Sequence, residues 1–275
     1  MNRLLRIEWN KMFYNKGTRI FIILYFALIA LSGIIIPNVT PMINGVKIDL
    51  IELGALDFPV IWHNIAWIVG FGKFFLAIII INNIANEYSF GTFKQNTIDG
   101  LTRLEFFQTK LFTNILLVLC STLLVVGIVT VLGAIFAKEF DYLNGIEFLA
   151  GYFVEILSFV AIVMFLSFLL KKSTFAILSI IVLNIVELII RGIEATIAYK
   201  VNLITDPNYT FITDYLPFTS NAKIVDYPPA SLKGFLTGTN FFTESHVAWD
   251  HFSVNVIYTI VFLGLSYLII KKRDL

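Results

Sequence analysis

The chain has 275 residues, of which 58% are hydrophobic and only 14% charged, with a formal net charge of +1. Soluble domains carry about 25% charged residues, so a water-soluble fold of this size could not hide so much apolar surface, and composition assigns the chain to a membrane. The single cysteine, Cys120, excludes an intrachain disulfide and a Cys-based metal site, and His63, His246 and His251 nowhere approach the His-Glu-x-x-His spacing of a metalloenzyme. The near-neutral balance points to no nucleic-acid partner.

Residues 1–19 read as an amphipathic helix lying on the inner leaflet rather than a signal peptide, because their charges are spread along the segment and no small-residue cleavage site ends the next apolar run. Leu5, Trp9, Met12 and Phe13 fall on one helical face, with Arg3, Arg6 and Asn10 opposite. Apolar runs long enough to cross a ~30 Å hydrocarbon layer as helices follow at Ile20–Ile36, Val60–Ile84, Phe106–Ala137, Ile146–Leu170, Phe175–Ile197 and Phe252–Ile270. The runs are continuously apolar, whereas a membrane barrel alternates in segments of about ten residues. The expected fold is therefore all-α and polytopic, a six-span domain over residues 20–275 preceded by the interfacial helix.

Basic loops stay cytoplasmic. With both termini inside, the inner segments hold 13 of the 20 Lys and Arg residues, among them Arg3, Arg6, Lys94, Arg103, Lys171, Lys172, Lys271 and Lys272. The outer segments hold Lys47, Lys138, Lys200, Lys223 and Lys233 against 11 acidic residues. The termini are accordingly expected in the cytoplasm.

The polar hairpin from Glu87 to Lys110 is the substantial cytoplasmic structure between two spans. Gly91 and Gly100 bracket Thr92–Asp99, and Thr92 with Gln95 and Thr102 with Glu105 each fit a capping box. A short helix between two breaks is expected, then a new helix aimed back into the bilayer. Phe90, Phe93, Ile98, Leu101 and Phe106 give this hairpin more apolar surface than a solvated loop requires, and suit a groove on a partner.

Charges within the spans must face protein or water and find partners. Lys73 lies about 20 Å from the outer end of the second span, and Glu155 and Glu187 about 15 Å from the outer ends of theirs, at 1.5 Å per residue. Asn184, Glu187, Arg191 and Glu194, spaced three, four and three apart, share one face of the fifth helix. These residues fit either an ion-pair network joining spans or the polar lining of a translocation path. The outer connection, 201–251, is too broken by proline to span the membrane and too aromatic to lie free in water, so short re-entrant or interfacial helices are expected there.

Glu87, Gly91-Thr92, a short helix, Gly100, Arg103, Phe107 and Lys110 together resemble the cytoplasmic coupling region of ATP-binding-cassette (ABC) export permeases of the type-2 class. The amphipathic first helix, six spans, long outer connection and terminal Lys271-Lys272-Arg273 fit the same plan, and the chain looks most similar to compact bacterial permeases for drug, bacteriocin or antibiotic-peptide efflux. The resemblance implies a non-enzymatic permease of a bacterial cytoplasmic membrane, paired with a second permease copy and two separate ATPase subunits. It also implies a path carrying a hydrophobic or amphipathic substrate. No Walker A motif occurs, so ATP and Mg belong to that partner and no cofactor or metal to this chain. Under the resemblance Glu87, Gly91, Thr92, Gly100, Arg103 and Lys110 couple to the ATPase. The alternative is an ion-coupled secondary transporter or channel that uses Lys73, Glu155 and Glu187, although the internal repeats usual in such proteins are not evident. An intramembrane enzyme has only Glu187-x-x-x-Arg191 in its favour, without the doubled glutamate or partner histidine motif of a CAAX-type protease.

Overall fold

The computed structural model of the chain describes residues 2–40, 42, 43, 46, 47, 49–203, 209–228, 242 and 245–272. In chain order it contains α1 (Asn2–Tyr14), α2 (Lys16–Asn38), α3 (Val60–Gly70), α4 (Lys73–Ser89), α5 (Thr92–Ile98), α6 (Arg103–Phe136), α7 (Glu147–Leu170), α8 (Ser173–Lys200), a 3-10 turn (Ile212–Tyr215), α9 (Pro217–Ala222) and α10 (Trp249–Lys272). A two-residue antiparallel ladder, Met42–Ile43 with Val46–Lys47, lies in the α2–α3 connection. Among the described residues five helices, α2, α6, α7, α8 and α10, are long and apolar enough to cross a membrane, and the bent pair α3 and α4 makes a sixth candidate if counted as one span. The protein is thus a multi-pass helical membrane protein.

Helix α7 is the hub, packing against α3, α4, α6, α8, α9 and α10. Its buried side chains run along its whole length, from Phe148 and Tyr152 through Phe159 and Val163 to Phe168. The outermost helix, α8, is buried only at Ala176, Ile180, Glu187 and Ala198, and it exposes Leu178, Ile181, Val182, Ile185, Ile189 and Ile193. In a bilayer those side chains meet lipid or another protein, since no water is there to oppose them.

The second apolar run departs from the expected single span. It breaks after Gly70 and bends by 42° between α3 and α4. Gly72 sits at the bend: a Cβ there would lie 3.0 Å from the Tyr25 ring of α2 and 3.0 Å from the Val69 carbonyl oxygen, so a larger residue would have to displace one or the other. Lys73, expected deep inside a continuous helix, instead opens α4.

Helix α6 has 34 residues, a length of about 51 Å at 1.5 Å per residue, well beyond the ~30 Å hydrocarbon layer. Its first turns therefore belong to one polar end of the bundle. Arg103 Nη1 donates to the Lys271 carbonyl at 2.7 Å, which places the start of α6 beside the end of α10. Lys110 in turn joins α6 to α1 and to the end of α4. The opposite end gathers the α2–α3 and α6–α7 connections, where Trp62 Nε1 donates to the Tyr142 carbonyl at 3.0 Å.

Of the prolines and aromatics expected to form short helices in the outer connection, Tyr215, Pro217 and Phe218 do so, while Tyr209, Phe211 and Pro228 lie outside helices. The 3-10 turn and α9 pack on α8, and α9 also touches α7 and α10. The remainder of that expectation, at 204–208, 229–241 and 243–244, lies outside the described residues, as does the end of the basic C-terminus at 273–275.

Candidate functional site

Three polar assemblies interrupt the apolar body. The first is the hairpin. The Thr102–Glu105 capping box forms as expected: Glu105 N donates to Thr102 Oγ1 at 3.2 Å, and Thr102 N donates to the Glu105 carboxylate at 2.9 Å. The Thr92–Gln95 box does not. Gly91 takes the N-cap position in a left-handed conformation (φ +66°) with no side-chain cap, and Thr92 turns its hydroxyl back to the Glu87 carboxylate. Gly100 closes α5 at φ +97°, a conformation glycine reaches without the Cβ penalty that other residues meet. Phe93 fixes the inner face of α5, 5.3 Å from the Tyr88 ring of α4 and 4.7 Å from the Phe106 ring of α6. Phe90 and Ile98 stay 75% and 72% exposed at its two ends. A seven-residue helix is thereby clamped to two spans while presenting apolar side chains outward.

The second assembly lies directly beneath. Lys110 Nζ sits 2.7 Å from Glu8 Oε2 and 3.0 Å from Glu87 Oε1, with its side chain 0% exposed. It also donates to Asn83 Oδ1 and to the Asn83 carbonyl, each at 3.1 Å. Lys11 reaches Glu87 Oε1 at 2.9 Å. Burial works to lower the Lys11 pKa, but the hydrogen bond and negative charge of Glu87, with Glu8 behind it, hold it above the ordinary lysine value. Glu87 and Lys110, expected on the partner-facing surface with Gly91, Thr92, Gly100 and Arg103, are therefore interior residues. They tie α1 to α4 and α6, and Glu87 also holds Thr92 of α5. Glu8 went unnoticed in the sequence because a buried acid four residues before Met12 looks like one more polar position on an amphipathic helix. Phe13, expected on the buried face, is 39% exposed with its ring tilted against Trp9 at 5.1 Å, while Glu8 is buried.

The third assembly is at the α3–α4 break. Lys73 Nζ donates to Glu155 Oε1 at 2.7 Å and to Asn221 Oδ1 at 2.8 Å. A cation at a helix N-terminus opposes the dipole, and Glu155 offsets both that and the burial. Asn221 Nδ2 donates to the Glu155 carbonyl and to Ser158 Oγ, each at 2.7 Å. Ser158 continues to Asn255 Oδ1 at 2.9 Å, and Asn255 Nδ2 to Ser220 Oγ at 3.0 Å. Ser220 then meets His251 Nδ1 at 3.0 Å. One hydrogen-bonded chain thus joins α4, α7, α9 and α10 through the middle of the bundle. Only Lys73 and Glu155 of this chain were legible beforehand. Ser158 and Asn255 carried a weak signal as lone polar residues in apolar runs, and Asn221 carried none.

The polar face of α8 is not one network. Asn184 donates to its own helix at the Ile180 carbonyl. Glu187 accepts from Phe218 N at 3.1 Å and from Thr219 N at 2.8 Å, capping α9 from a neighbouring helix. Arg191 pairs with Asp214 at 3.4 Å, and Glu194 accepts from Ile212 N and Thr213 N. The four share a face as expected, but each of the last three holds the outer segment rather than one another. Among the described residues nothing joins Glu187 to Lys73 or Glu155. Replacing Glu187 by alanine should leave two amide donors of α9 without acceptors, cost about 1–3 kcal/mol, and speed limited proteolysis of residues 209–223 several-fold. Unchanged proteolysis would show that packing alone holds the segment.

A cavity of about 160 Å³ lies against the Lys73–Glu155 pair, walled by Trp67, Phe71, Phe74, Phe159 and Phe218. A larger cleft of about 510 Å³ adjoins it across Asn184, Phe218 and Ala222 and runs along α8 past Arg191 to Lys223 and Asp226. No protein-family model and no curated protein matches the chain.

Proposed function

We propose that the chain is the permease subunit of an ATP-driven exporter of the type-2 ABC class, working as two permease copies with two separate ATPase subunits that bind ATP and Mg. The observation that carries this reading is α5, clamped through Phe93 to α4 and α6 while Phe90 and Ile98 face outward. A push on such a helix moves two spans and, through Lys110 and Glu87, the interfacial helix α1. The basic residues at that end support a cytoplasmic position for it and for both termini. Hydrolysis on the partner would then drive a hydrophobic or amphipathic molecule outward along the α8 face, whose apolar side chains are left uncovered within one copy. The cleft beside α8 and the Lys73–Glu155 cavity supply the polar positions on that path.

The test is co-purification with the ABC ATPase made by the same cell, followed by reconstitution. A Cβ at Gly91 or Gly100 would meet nothing within 4 Å, so Gly91→Trp and Gly100→Trp cost only local backbone strain, about 1–3 kcal/mol, and leave the spans intact. These variants, with Phe90→Asp and Ile98→Asp, should lower recovery of the ATPase at least tenfold and abolish substrate-stimulated hydrolysis. A wild-type complex should weigh as two permeases with two ATPases. Full recovery and stimulation in all four variants would remove α5 as the docking element. Transport that persists without ATP and follows an ion gradient would favour the ion-coupled reading.

A further inference from the structure

The Lys73–Glu155 pair is saturated on one side only. Lys73 Nζ has three N–H donors and uses two, on Glu155 Oε1 and Asn221 Oδ1. Glu155 Oε1 is engaged, while Oε2 accepts no hydrogen bond among the described residues. One donor and one acceptor therefore stand side by side next to the cavity of about 160 Å³, a size comparable to cavities of about 150 Å³ that take up a benzene ring. The pair is neutral as a unit, so a visiting charge would find no net counter-charge, whereas an uncharged group that both donates and accepts would satisfy both free positions.

Phe71 links this cavity to a second one. It walls the polar cavity on one side, and on the other it lines a groove of about 590 Å³ between α2 and the bent pair. Leu24, Leu28, Leu31, Ile35 and Phe75 form the groove. Its one hydroxyl, on Ser32, already donates to the Ile29 carbonyl at 2.7 Å. The groove thus has nothing to offer a polar ligand and suits a hydrocarbon chain. A small hydrogen-bonding cavity and a long apolar groove, meeting at one exposed aromatic residue, have the outline of a head and a tail.

We infer that the two cavities together bind a single-chain amphiphile with an uncharged amide or hydroxyl head, the head on Lys73 and Glu155 and the chain between α2 and α3. The inference rests on the exporter reading for its role as a transport site, and on geometry alone for the binding. Both cavities lie within one protomer, so the site is complete before any dimer forms.

The experiment uses the full chain alone in phosphatidylcholine nanodiscs, without nucleotide. The probe is N-(2-hydroxyethyl)hexadecanamide carrying a photoreactive diazirine in its chain. Labelling should fall on α2 and α3, and unlabelled N-(2-hydroxyethyl)hexadecanamide should compete at concentrations at least tenfold below those needed for hexadecanoate, hexadecyltrimethylammonium or hexadecane. Leu31→Trp, which fills the groove without touching the buried pair, should lower labelling at least tenfold, and Glu155→Gln should erase the preference for the uncharged head. If Glu155→Gln fails to fold, Leu31→Trp and the competitor series decide alone. Labelling spread evenly over the lipid-facing residues of α8 and α10, equal competition by the charged amphiphiles, or full labelling of a folded Leu31→Trp variant would each overturn the inference. A chain that binds the probe but recruits no ATPase keeps this site and loses the exporter reading. A chain that couples to an ATPase but shows none of this binding does the reverse.

Discussion

Replacing Lys110 by methionine should destabilise the protein by about 3–5 kcal/mol, the usual cost of removing one partner from a buried ion pair. The Lys110 side chain is wholly inaccessible between Glu8 and Glu87, so its loss leaves two carboxylates facing each other out of reach of water. Lys11 cannot replace it, because it approaches Glu87 from a half-exposed position where solvent screens the interaction. Thermal unfolding in detergent should therefore rank Lys110→Met far below Lys11→Met, and the combined Glu8→Gln, Glu87→Gln, Lys110→Met variant should regain most of the loss. Equal damage from Lys11→Met would show that α1 is held by its outer contact instead. The pH dependence has a definite sign. The folded pKa of Lys11 lies above the ordinary value of 10.5, so its contribution is complete below that value and disappears as pH rises through the higher folded one. The attachment of α1 should accordingly loosen in strong alkali and be indifferent to pH near neutrality.

The second large effect is expected at the α3–α4 break. Lys73→Met or Glu155→Met alone should each cost about 3–5 kcal/mol by stranding the other charge in the bundle. The double variant should recover most of that, since apolar side chains of similar volume often substitute for a buried pair without loss. Recovery should stop short of complete, because Asn221 Oδ1 would lose the Lys73 donor it now has at 2.8 Å, an unsatisfied acceptor worth about 1–3 kcal/mol. A folded double variant that no longer transports would assign the pair to function, while one that transports normally would assign it to assembly. A double variant as damaged as the singles would shift the weight to the Asn221 anchor.

Much of this protein was readable without coordinates. The apolar runs, being period-free and long enough to cross a bilayer, could only be helices, since in lipid every backbone amide needs a partner and the other way of supplying one, a closed barrel, alternates in segments of about ten residues. The glycines at 91 and 100 located the short helix between them, and the Thr102–Glu105 box the start of α6, because these signals act over three or four residues. The break at Gly70 and Gly72 was harder, as a glycine inside an apolar run is as compatible with close packing as with a bend. What makes a small residue fit at Gly72 is the Tyr25 ring, which approaches from a different helix.

By itself, the sequence determined that the chain crosses a membrane as helices, which side its charges favour, where the hairpin lies, and that Lys73, Glu155 and Glu187 needed partners. Only the tertiary structure decided which partners they have. It gave Lys73 to Glu155 and Asn221, gave Glu187 to the amides of α9, and drew Glu87 and Lys110 inside against Glu8. The reason is physical: hydropathy and capping are local and repeat along the chain. The choice of counter-ion for a buried charge depends on which helices cross at that depth, here on pairs 82 and 102 residues apart, and no spacing within one helix encodes it.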